Sequence, residues 1–357
     1  MQPSNSHILS IEKLASSLPE FDVIIDVRTP AEFASDHIPG AINLPVLSNE
    51  ERIEIGTLYK QASPFVAKKL GAAYVSRNIA NHLENSLIDF PREWRPLIYC
   101  WRGGERSGAF THILNRIGWK ALQLQSGYQG FRRVVINDLD QAAKDFSFQV
   151  IAGMTGSGKT RILQEIGLLG QQILDLEGLA IHRGSVLGNE PNIEQPSQKG
   201  FETNLWNAFN SLDSSKIVFV ESESKKVGGL HIPDPLMDRI RQGKCIELRS
   251  STITRVSWLL REYKHFLSNP ESFKDKLSLL TSRYGKEQIA KWHSAIDVGD
   301  FESLVEELLE MHYDPSYQSS IIRNFPNYRA DHFVQLEDDS DEAFTNTAKD
   351  LITKLGL

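Results

Sequence analysis

The sequence predicts an α/β protein of two domains, each built on a parallel β-sheet, and three observations support this fold class. The chain has 357 residues, enough for two domains. Short apolar runs alternate with stretches of helical periodicity, as in parallel sheets covered by helices. Residues 153–160, with the sequence GMTGSGKT, are a complete phosphate-binding loop motif between an apolar run and a helical pattern. We expect domains at residues 8–138 and 148–357, joined by a polar linker at 139–147.

Apolar runs predict the strands in both halves of the chain. In the first half a helical pattern at residues 107–117 separates the last two strands. In the second half a helical insertion is expected at about 251–328, because apolar residues recur there at spacings of three and four. The expected strands are residues 22–26, 41–45, 96–100, 121–124, 148–152, 172–176, 217–221, 245–249 and 332–336.

The composition excludes several classes of protein. No apolar run approaches the roughly 20 residues that a membrane span needs, and the first residues lack the basic start and apolar core of a signal peptide. Two cysteines, Cys100 and Cys245, cannot make a disulfide scaffold or a cysteine-based zinc site. We therefore expect a protein of a bacterial-type cytoplasm, with no membrane partner and no tightly bound cofactor.

The net charge of −7 argues mildly against nucleic acid as a partner, but the cations are unevenly distributed. Residues 100–133 carry six arginines and lysines against one glutamate, and residues 251–293 carry eight against four acids. Such zones suit a polyanion that docks at chosen places. Solvated helix faces explain the second zone equally well.

The phosphate-binding loop predicts a site for a phosphate or diphosphate. Its glycines turn backbone N–H groups inward, the following helix contributes a partial positive charge, and its lysine contributes a full one. The threonine that ends the motif is placed to hold Mg²⁺. The expected phosphate-binding residues are Gly153, Thr155, Gly156, Ser157, Gly158, Lys159 and Thr160.

Acidic residues after two neighbouring apolar runs are further candidates for a Mg²⁺ site. The run at 217–221 ends in Glu221 instead of the usual aspartate, and Glu223 follows two residues later. Asp175 and Glu177 follow another run. We expect Mg²⁺ at Thr160, Asp175 and Glu221, although a solvated strand end is equally compatible. The Gly- and Pro-rich segments 184–200 and 225–235 are expected to be active-site loops or lids.

Cys100 is the candidate nucleophile. It follows an apolar strand and precedes a Gly-containing loop and a helix, a setting where N–H groups, the helix dipole and arginines favour the thiolate. The same loop would hold a tetrahedral oxyanion, with Arg102 and Arg106 as catalytic partners of Cys100. A small buried apolar residue at a strand end is the alternative. Cys245 lacks this setting and is expected in the core.

Residues 25–33 and 37–45 resemble the N-terminal signature of the rhodanese family, whose members carry sulfur as a cysteine persulfide. The loop after Cys100 resembles their active-site loop, but five residues separate Cys100 from Arg106 where the usual bacterial form has four. Five is the spacing of cysteine-dependent phosphatases, including rhodanese-folded ones. A wider loop suits a phosphate-sized anion.

The chain as a whole resembles the family of bacterial tRNA 2-selenouridine synthases, in which a rhodanese domain is fused to a P-loop domain. The resemblance includes, in order, the rhodanese signature, the phosphate loop and the motifs at residues 56–61, 100–104, 126–128, 175–180, 182–185 and 221–224. It implies replacement of the sulfur of wobble 2-thiouridine by selenium from selenophosphate, with a geranylated intermediate made from geranyl diphosphate. It also implies tRNA and a selenophosphate supply enzyme as partners, and leaves the oligomeric state open.

Under this resemblance the basic residues become candidate tRNA contacts: Arg132, Arg133, Arg255, Arg261 and Lys264. Trp101, Tyr128 or Trp206 could stack on a flipped-out wobble base, and His182 and Arg183 belong either to the site or to a surface turn. Two other functions stay open. One is an ATP-dependent sulfurtransferase that acts through a Cys100 persulfide, and the other is a regulatory nucleotide switch without turnover.

Overall fold

The computed structural model describes residues 7–185, 187–191 and 193–357, which divide into two compact units. The first unit contains the described residues up to Asp138 together with Ser197–Asn207. The second contains Leu139–Pro196 and Ala208–Leu357 without the two residues that are not described.

The first unit is a five-stranded parallel sheet with helices. Its strand order is β1-β5-β4-β2-β3, so β4 lies in the middle and the residue after β4 is at the carboxyl edge of the sheet. The elements are β1 (Ile8–Leu9), α1 (Leu14–Ser17), β2 (Val23–Asp26), α2 (Pro30–Ser35), β3 (Ala41–Asn43), α3 (Asn49–Gln61), α4 (Pro64–His82), β4 (Pro96–Tyr99), α5 (Glu105–Ile117), β5 (Leu122–Leu124) and α6 (Gly127–Asp145).

The four strands expected in this half are present, because each is an apolar run whose side chains are needed in the core. Ile25 of β2 and Ile98 of β4 pair in register, and both pack with Phe110 of α5 in one cluster. Strand β1 was not predicted, since two residues are too few to show a period. Residues 139–145, expected in a linker, form the last turns of α6.

The second unit is also a five-stranded parallel sheet, in the order β12-β11-β6-β8-β7, with β6 in the middle. Its first elements are β6 (Ser147–Ala152), α7 (Lys159–Leu168), β7 (Gln172–Leu174), α8 (Leu176–Ala180), α9 (Gln198–Asn210, which begins in the first unit), β8 (Ile217–Glu221), an antiparallel pair β9 (Lys226–Val227) and β10 (Leu230–His231), α10 (Asp234–Arg241) and β11 (Lys244–Arg249).

Six helices form the expected insertion between β11 and β12, and they have an apolar core of their own around Trp292 and Phe273. Its first two helices, α11 and α12, are separated at Tyr263. The elements are α11 (Thr252–Glu262), α12 (Lys264–Ser268), α13 (Pro270–Ser278), α14 (Thr281–Val298), α15 (Phe301–Leu308), α16 (Asp314–Asn324), β12 (Phe333–Gln335) and α17 (Asp341–Leu355).

The predicted fold class is therefore confirmed: an N-terminal parallel-sheet unit and a second α/β unit with a helical insertion. Over the part of the chain that the structure describes, no helix combines the length and the apolarity that a bilayer crossing requires.

Candidate functional site

Cys100 lies directly after β4, at the carboxyl edge of the first sheet, and only 3% of its surface is exposed. Four loop residues separate it from α5. Ser107, in the first turn of that helix, donates its hydroxyl to the sulfur at 3.1 Å. The Gln123 amide holds this serine by donating to its Oγ at 2.9 Å and to the Gly103 carbonyl at 2.7 Å. The thiol is thus surrounded by fixed donors.

These donors determine the protonation state of Cys100. Burial raises its pKa, but hydrogen bonds from the hydroxyl and N–H of Ser107, the Arg106 charge and the Gly104 N–H outweigh burial, so the net pKa of Cys100 is lowered. Cys245 has no such donors, and burial raises its pKa to about 11. The pKa values of the two thiols are thus shifted in opposite directions, which favours Cys100 as the candidate nucleophile.

The turn before α6 shapes the Cys100 loop. Tyr128 N–H donates to the Cys100 carbonyl at 2.9 Å, and Gly127 has φ +51°. A Cβ on Gly127 would lie 2.2 Å from the Cys100 carbonyl oxygen, and one on Gly103 would lie 2.5 Å from the Leu124 carbonyl oxygen. Only glycine allows the two backbones to approach this closely.

The two arginines of the loop differ in their surroundings. Arg106 forms an ion pair with Glu32 at 3.0 Å, and Glu32 also caps α2 by accepting from the Thr29 N–H. Burial raises the pKa of Glu32, but the Arg106 charge and hydrogen bond and the Thr29 N–H together lower it. Arg102 is exposed.

A buried polar network lies beside this loop within the same unit. Asp36 accepts hydrogen bonds from Tyr128 at 2.8 Å and Thr203 at 3.1 Å, and Arg132 lies 3.5 Å from it. The guanidinium of Arg28, paired with Asp26, lies 3.8 Å from the centroid of the Tyr128 ring. The network links the turn that holds Cys100 to the start of α9.

The second site follows β6, where the phosphate-binding loop leads into α7. Lys159 donates to the carbonyl oxygens of Gly153 and Met154 at 2.8 and 3.3 Å. Gly156 and Gly158 have φ of +77° and +82°, in the left-handed region that glycine favours. Tyr317 of α16 accepts the Gly153 N–H at 2.6 Å, so the helical insertion contributes to the loop.

Three glutamates converge on Thr160. Its hydroxyl lies 3.0 Å from Glu177 and 3.2 Å from Glu221, and ligand atoms of Glu177, Glu221 and Glu223 lie within 4.8 Å of one another. Burial and mutual repulsion raise the pKa of Glu177 and of Glu221. Of the expected Mg²⁺ ligands the structure brings Thr160 and Glu221 together, whereas Asp175 accepts the Gly178 N–H and caps α8.

This donor set fits a divalent cation. Glu221 is 1% exposed, and its Oε1 has no hydrogen-bond partner among the described residues. A buried carboxylate oxygen of this kind is stabilised by a cation, and Mg²⁺ prefers oxygen ligands. The hydroxyl of Thr160 would complete the set.

A cavity of about 670 Å³ lies over the phosphate loop and the glutamates. His182 and Arg183 line it, so they belong to the site. Burial lowers the pKa of His182, and Arg183 forms ion pairs with Glu190 and Glu262. The expected loop 184–200 contributes Gly184, Ser185 and Glu190 to the lining. Val186 and Asn192 of that segment lie outside the described residues.

The five candidate tRNA contacts separate into two groups. Arg132 and Arg255 are buried, the first paired with Glu202 and the second with Asp314 at 2.5 Å. Arg255 also donates to the Thr155 carbonyl at 2.9 Å, so it supports the phosphate loop. Their geometry favours internal support over contact with RNA. Exposed cations remain at Arg133, Arg261 and Lys264, with Arg261 also bonded to Asp339.

The three aromatic candidates for base stacking differ in how far their side chains are buried. Trp101 is partly buried, with Tyr128 at 5.3 Å and the Lys199 ammonium at 5.7 Å from its ring. Trp206 is buried and donates to Asp138 at 2.8 Å. Tyr128 is buried in the network of Asp36. Of the three, Trp101 is the one with an accessible face.

Sequence reasoning missed Ser107, Gln123, Asp36, Asp314 and Tyr317. Ser107 was detectable, because it follows Arg106 at the start of a helix that begins beside Cys100. The other four act over 16 or more residues of chain, and nothing near them in sequence indicates their partners.

Comparisons with known proteins match both units. The profile described as "tRNA 2-selenouridine synthase AAA domain" matches residues 146–330, and that of the "Rhodanese-like domain" matches residues 10–133. A rhodanese-related protein of Thermoplasma volcanium shares 16% identity with this chain, covering 36% of this chain and 92% of its own, at a TM-score of 0.24.

Two curated relatives carry the same name. The tRNA 2-selenouridine synthase of Nitrosomonas europaea is 36% identical over 67% of this chain, and the match spans 63% of that protein, somewhat less than two thirds of its length. The enzyme of the same name from Shewanella halifaxensis is 30% identical over 84% of this chain and 88% of its own. With the first profile covering more than half of the chain, this chain belongs to the tRNA 2-selenouridine synthase family.

Proposed function

We propose that this protein is a tRNA-modifying transferase that replaces the sulfur of wobble 2-thiouridine with selenium from selenophosphate. The observation that supports the proposal is that a chain of this family has two groups of residues suited to an anion, each with different chemistry. One has a thiol of lowered pKa beside a loop of phosphate-binding width, and the other has a phosphate loop with a cation-binding glutamate cluster.

The reaction needs two steps because a thiocarbonyl sulfur is a poor leaving group. In the first step the sulfur attacks the allylic carbon of geranyl diphosphate, the carbon–oxygen bond breaks, and diphosphate leaves with the electron pair. Lys159 and the loop N–H groups stabilise the charge that develops on the diphosphate. Mg²⁺ held by Thr160 and the glutamates would supply further charge neutralisation there.

In the second step water cleaves the phosphorus–selenium bond of selenophosphate and phosphate is released. The selenide formed attacks the same ring carbon, the carbon–sulfur bond breaks, and the geranylated sulfur leaves with the electron pair as geranylthiol. The loop after Cys100 binds the tetrahedral oxyanion of selenophosphate through its N–H groups and Arg102. Arg106 reaches the anion only if it loosens its pairing with Glu32. The Cys100 thiolate is the nucleophile of this site: it can attack the ring carbon and expel geranylthiol, and selenide then displaces the cysteine from that carbon and restores the thiolate.

Binding of tRNA is assigned to the exposed cations Arg133 and Lys264. We expect Arg133→Glu and Lys264→Glu each to weaken tRNA binding severalfold and to reduce its salt dependence, because each removes a phosphate contact. Filter binding over a salt series measures this. Lys349→Glu, at an exposed site on α17, serves as a control for the change in net charge. Equal loss in all three variants would contradict the assignment.

The function is tested by incubating the protein with 2-thiouridine tRNA, geranyl diphosphate and selenophosphate, omitting each in turn, and weighing the nucleosides by mass spectrometry. We expect geranylated thiouridine without selenophosphate and selenouridine with it. Unchanged thiouridine under every condition would refute the proposal. Turnover that needs ATP but no geranyl diphosphate would favour the sulfurtransferase.

A further inference from the structure

A second, smaller cavity adjoins the phosphate pocket within the second unit. Its volume is about 50 Å³, and almost all of its wall consists of apolar side chains from the helical insertion. Its lining residues with large apolar side chains include Leu260, Phe266, Phe273, Val305, Leu308 and Leu309.

The two cavities share one wall. Thr155, Ser185, Leu259, Tyr263 and Tyr313 line both of them. Thr155 is part of the phosphate loop. A single ligand can therefore place an anionic group on the loop and an apolar group among the helices of the insertion.

The apolar wall discriminates between two classes of diphosphate ligand, nucleotides and alkyl diphosphates. The base of a nucleotide carries ring nitrogens and an amino group, and each would be buried without a partner at a cost of about 1–3 kcal/mol. A hydrocarbon chain gains free energy in the same place, about 25 cal/mol for each Å² of apolar surface removed from water. The cavity thus fits the tail of an alkyl diphosphate.

We propose that this cavity binds the distal end of the prenyl chain of geranyl diphosphate, so that the helical insertion selects the length of the chain. The inference rests on the proposed function and adds the part of the protein that recognises the chain. A volume of about 50 Å³ holds a few groups of the size of a water or methyl, because one water needs about 10–15 Å³ in this measure. The end of the chain fills it, and the first carbons stay in the larger pocket.

Residues that line only the small cavity therefore set the limit of chain length. Phe273 packs on Phe266 at a centroid distance of 5.1 Å and closes part of the wall. Val305 on α15 is the smallest of the apolar lining residues and is partly buried. Exchanging either residue changes the space for the chain end and leaves the phosphate loop untouched.

The test compares transfer to thiolated tRNA from three prenyl diphosphates, one isoprene unit shorter than geranyl, geranyl itself, and one unit longer. Val305→Phe fills the cavity, and we expect kcat/KM for geranyl diphosphate to fall about tenfold or more while that for the shorter dimethylallyl diphosphate is unchanged. Phe273→Ala enlarges it, and we expect the ratio of farnesyl to geranyl transfer to rise about tenfold or more. Phe325→Ala, an equally buried phenylalanine outside the cavity, is the matched control.

Calorimetry separates failure of this inference from failure of the proposed function. Geranyl diphosphate is expected to bind the wild-type protein about tenfold or more tighter than inorganic diphosphate, and Val305→Phe is expected to reduce that difference severalfold, because the chain end loses its cavity while the first carbons keep the larger pocket. This result would support the cavity even if no tRNA were modified. Unchanged chain-length preference in Val305→Phe, with tRNA geranylated normally, would overturn the inference and leave the proposed function intact.

Discussion

At the scale of single residues, the contrast between Cys100 and Cys245 shows what creates a reactive thiol. Both are buried, at 3% exposure each, and burial alone raises a thiol pKa. The pKa of Cys100 is nevertheless lowered, because the Ser107 hydroxyl and N–H donate to the sulfur and Arg106 is near. Reactivity thus depends on the donors supplied by the start of α5, which Cys245 lacks.

We expect Ser107→Ala to raise the pKa of Cys100, since it removes the hydroxyl that favours the thiolate. The contribution of the Cys100 thiolate to folding stability is fully present above the ordinary thiol pKa and is lost as pH falls through the lowered pKa of Cys100. Ser107→Ala should therefore reduce the change in the free energy of unfolding across this pH range. Ultraviolet absorbance of the thiolate, titrated against Cys100→Ala, measures the shift. Thr111→Val removes a hydroxyl one turn further along α5 and should leave the titration unchanged; an equal shift there would contradict the role of Ser107.

The catalytic candidates could be predicted from sequence, whereas the burial and ion pairing of two arginines could not. Cys100 and Lys159 occur in local motifs, where strand, loop and helix follow one another along the chain. Arg132 and Arg255 look like any other basic residue in sequence. They are buried because Glu202 and Asp314, about 60 to 70 residues away, supply their counter-charges, and such pairings emerge only from the fold.

At the scale of elements, both sites form where a central parallel strand ends and a helix begins. β4 leads to Cys100 and β6 to the phosphate loop, so each site receives N–H groups from a helix N-terminus. The strand ends could be predicted from apolar runs. The short strand β1 and the paired helices α3 and α4 could not, because two residues show no period and the buried face of α3 is slight.

The turn between β5 and α6 provides a prediction at this scale. Gly127→Ala should destabilise the first unit by about 2 kcal/mol or more, because a Cβ at 2.2 Å from the Cys100 carbonyl adds a clash to the strain of positive φ. Thermal unfolding measures the loss. Gly118 also has positive φ, but a Cβ there would meet no atom within 4 Å. Gly118→Ala should therefore lose less stability, and the difference between the two variants gives the cost of the contact with the Cys100 carbonyl. Equal losses would show that the close approach is unimportant.

The end of β8 and the start of α8 provide another prediction at the scale of elements. Because the carboxyls of Glu177 and Glu221 have raised pKa values, protons compete with a cation for them, and Mg²⁺ should bind more tightly as pH rises from about 6 to about 9. Without the cation the pH dependence of folding stability has the opposite direction. The free energy of unfolding should then fall as pH rises above the ordinary carboxyl pKa. Melting temperatures with and without Mg²⁺ across this range give both trends.

The matched substitution is Glu221→Gln, which keeps the shape of the side chain and removes its charge. It should abolish most of the Mg²⁺-dependent stabilisation while raising the stability of the cation-free protein at high pH. Glu194→Gln, a glutamate in the same unit outside the cluster, is the control. A Mg²⁺ effect that is independent of pH and survives Glu221→Gln would exclude a cation at these glutamates.

At the scale of the whole molecule, the proposed function gives each unit a different half of one reaction. In the first unit a thiol of lowered pKa precedes the loop that the proposal assigns to selenophosphate. The second has a diphosphate loop, a glutamate cluster and an apolar cavity, suited to geranyl diphosphate. The two sites use different residues, so a substitution in one site should stop one step and leave the other step intact.

Lys159→Ala should reduce geranylation of thiolated tRNA about a hundredfold or more, since it removes the charge that stabilises the leaving diphosphate. It should still convert tRNA that was geranylated beforehand into selenouridine. Cys100→Ala should have the opposite profile, with normal geranylation and no selenium incorporated.

A mixture of the two variants tests whether the geranylated tRNA leaves the protein between the steps. If it is released, the mixture should form selenouridine. If one protein molecule keeps it, the tRNA should stay geranylated. Loss of both steps in either single variant would show that the two sites do not act separately.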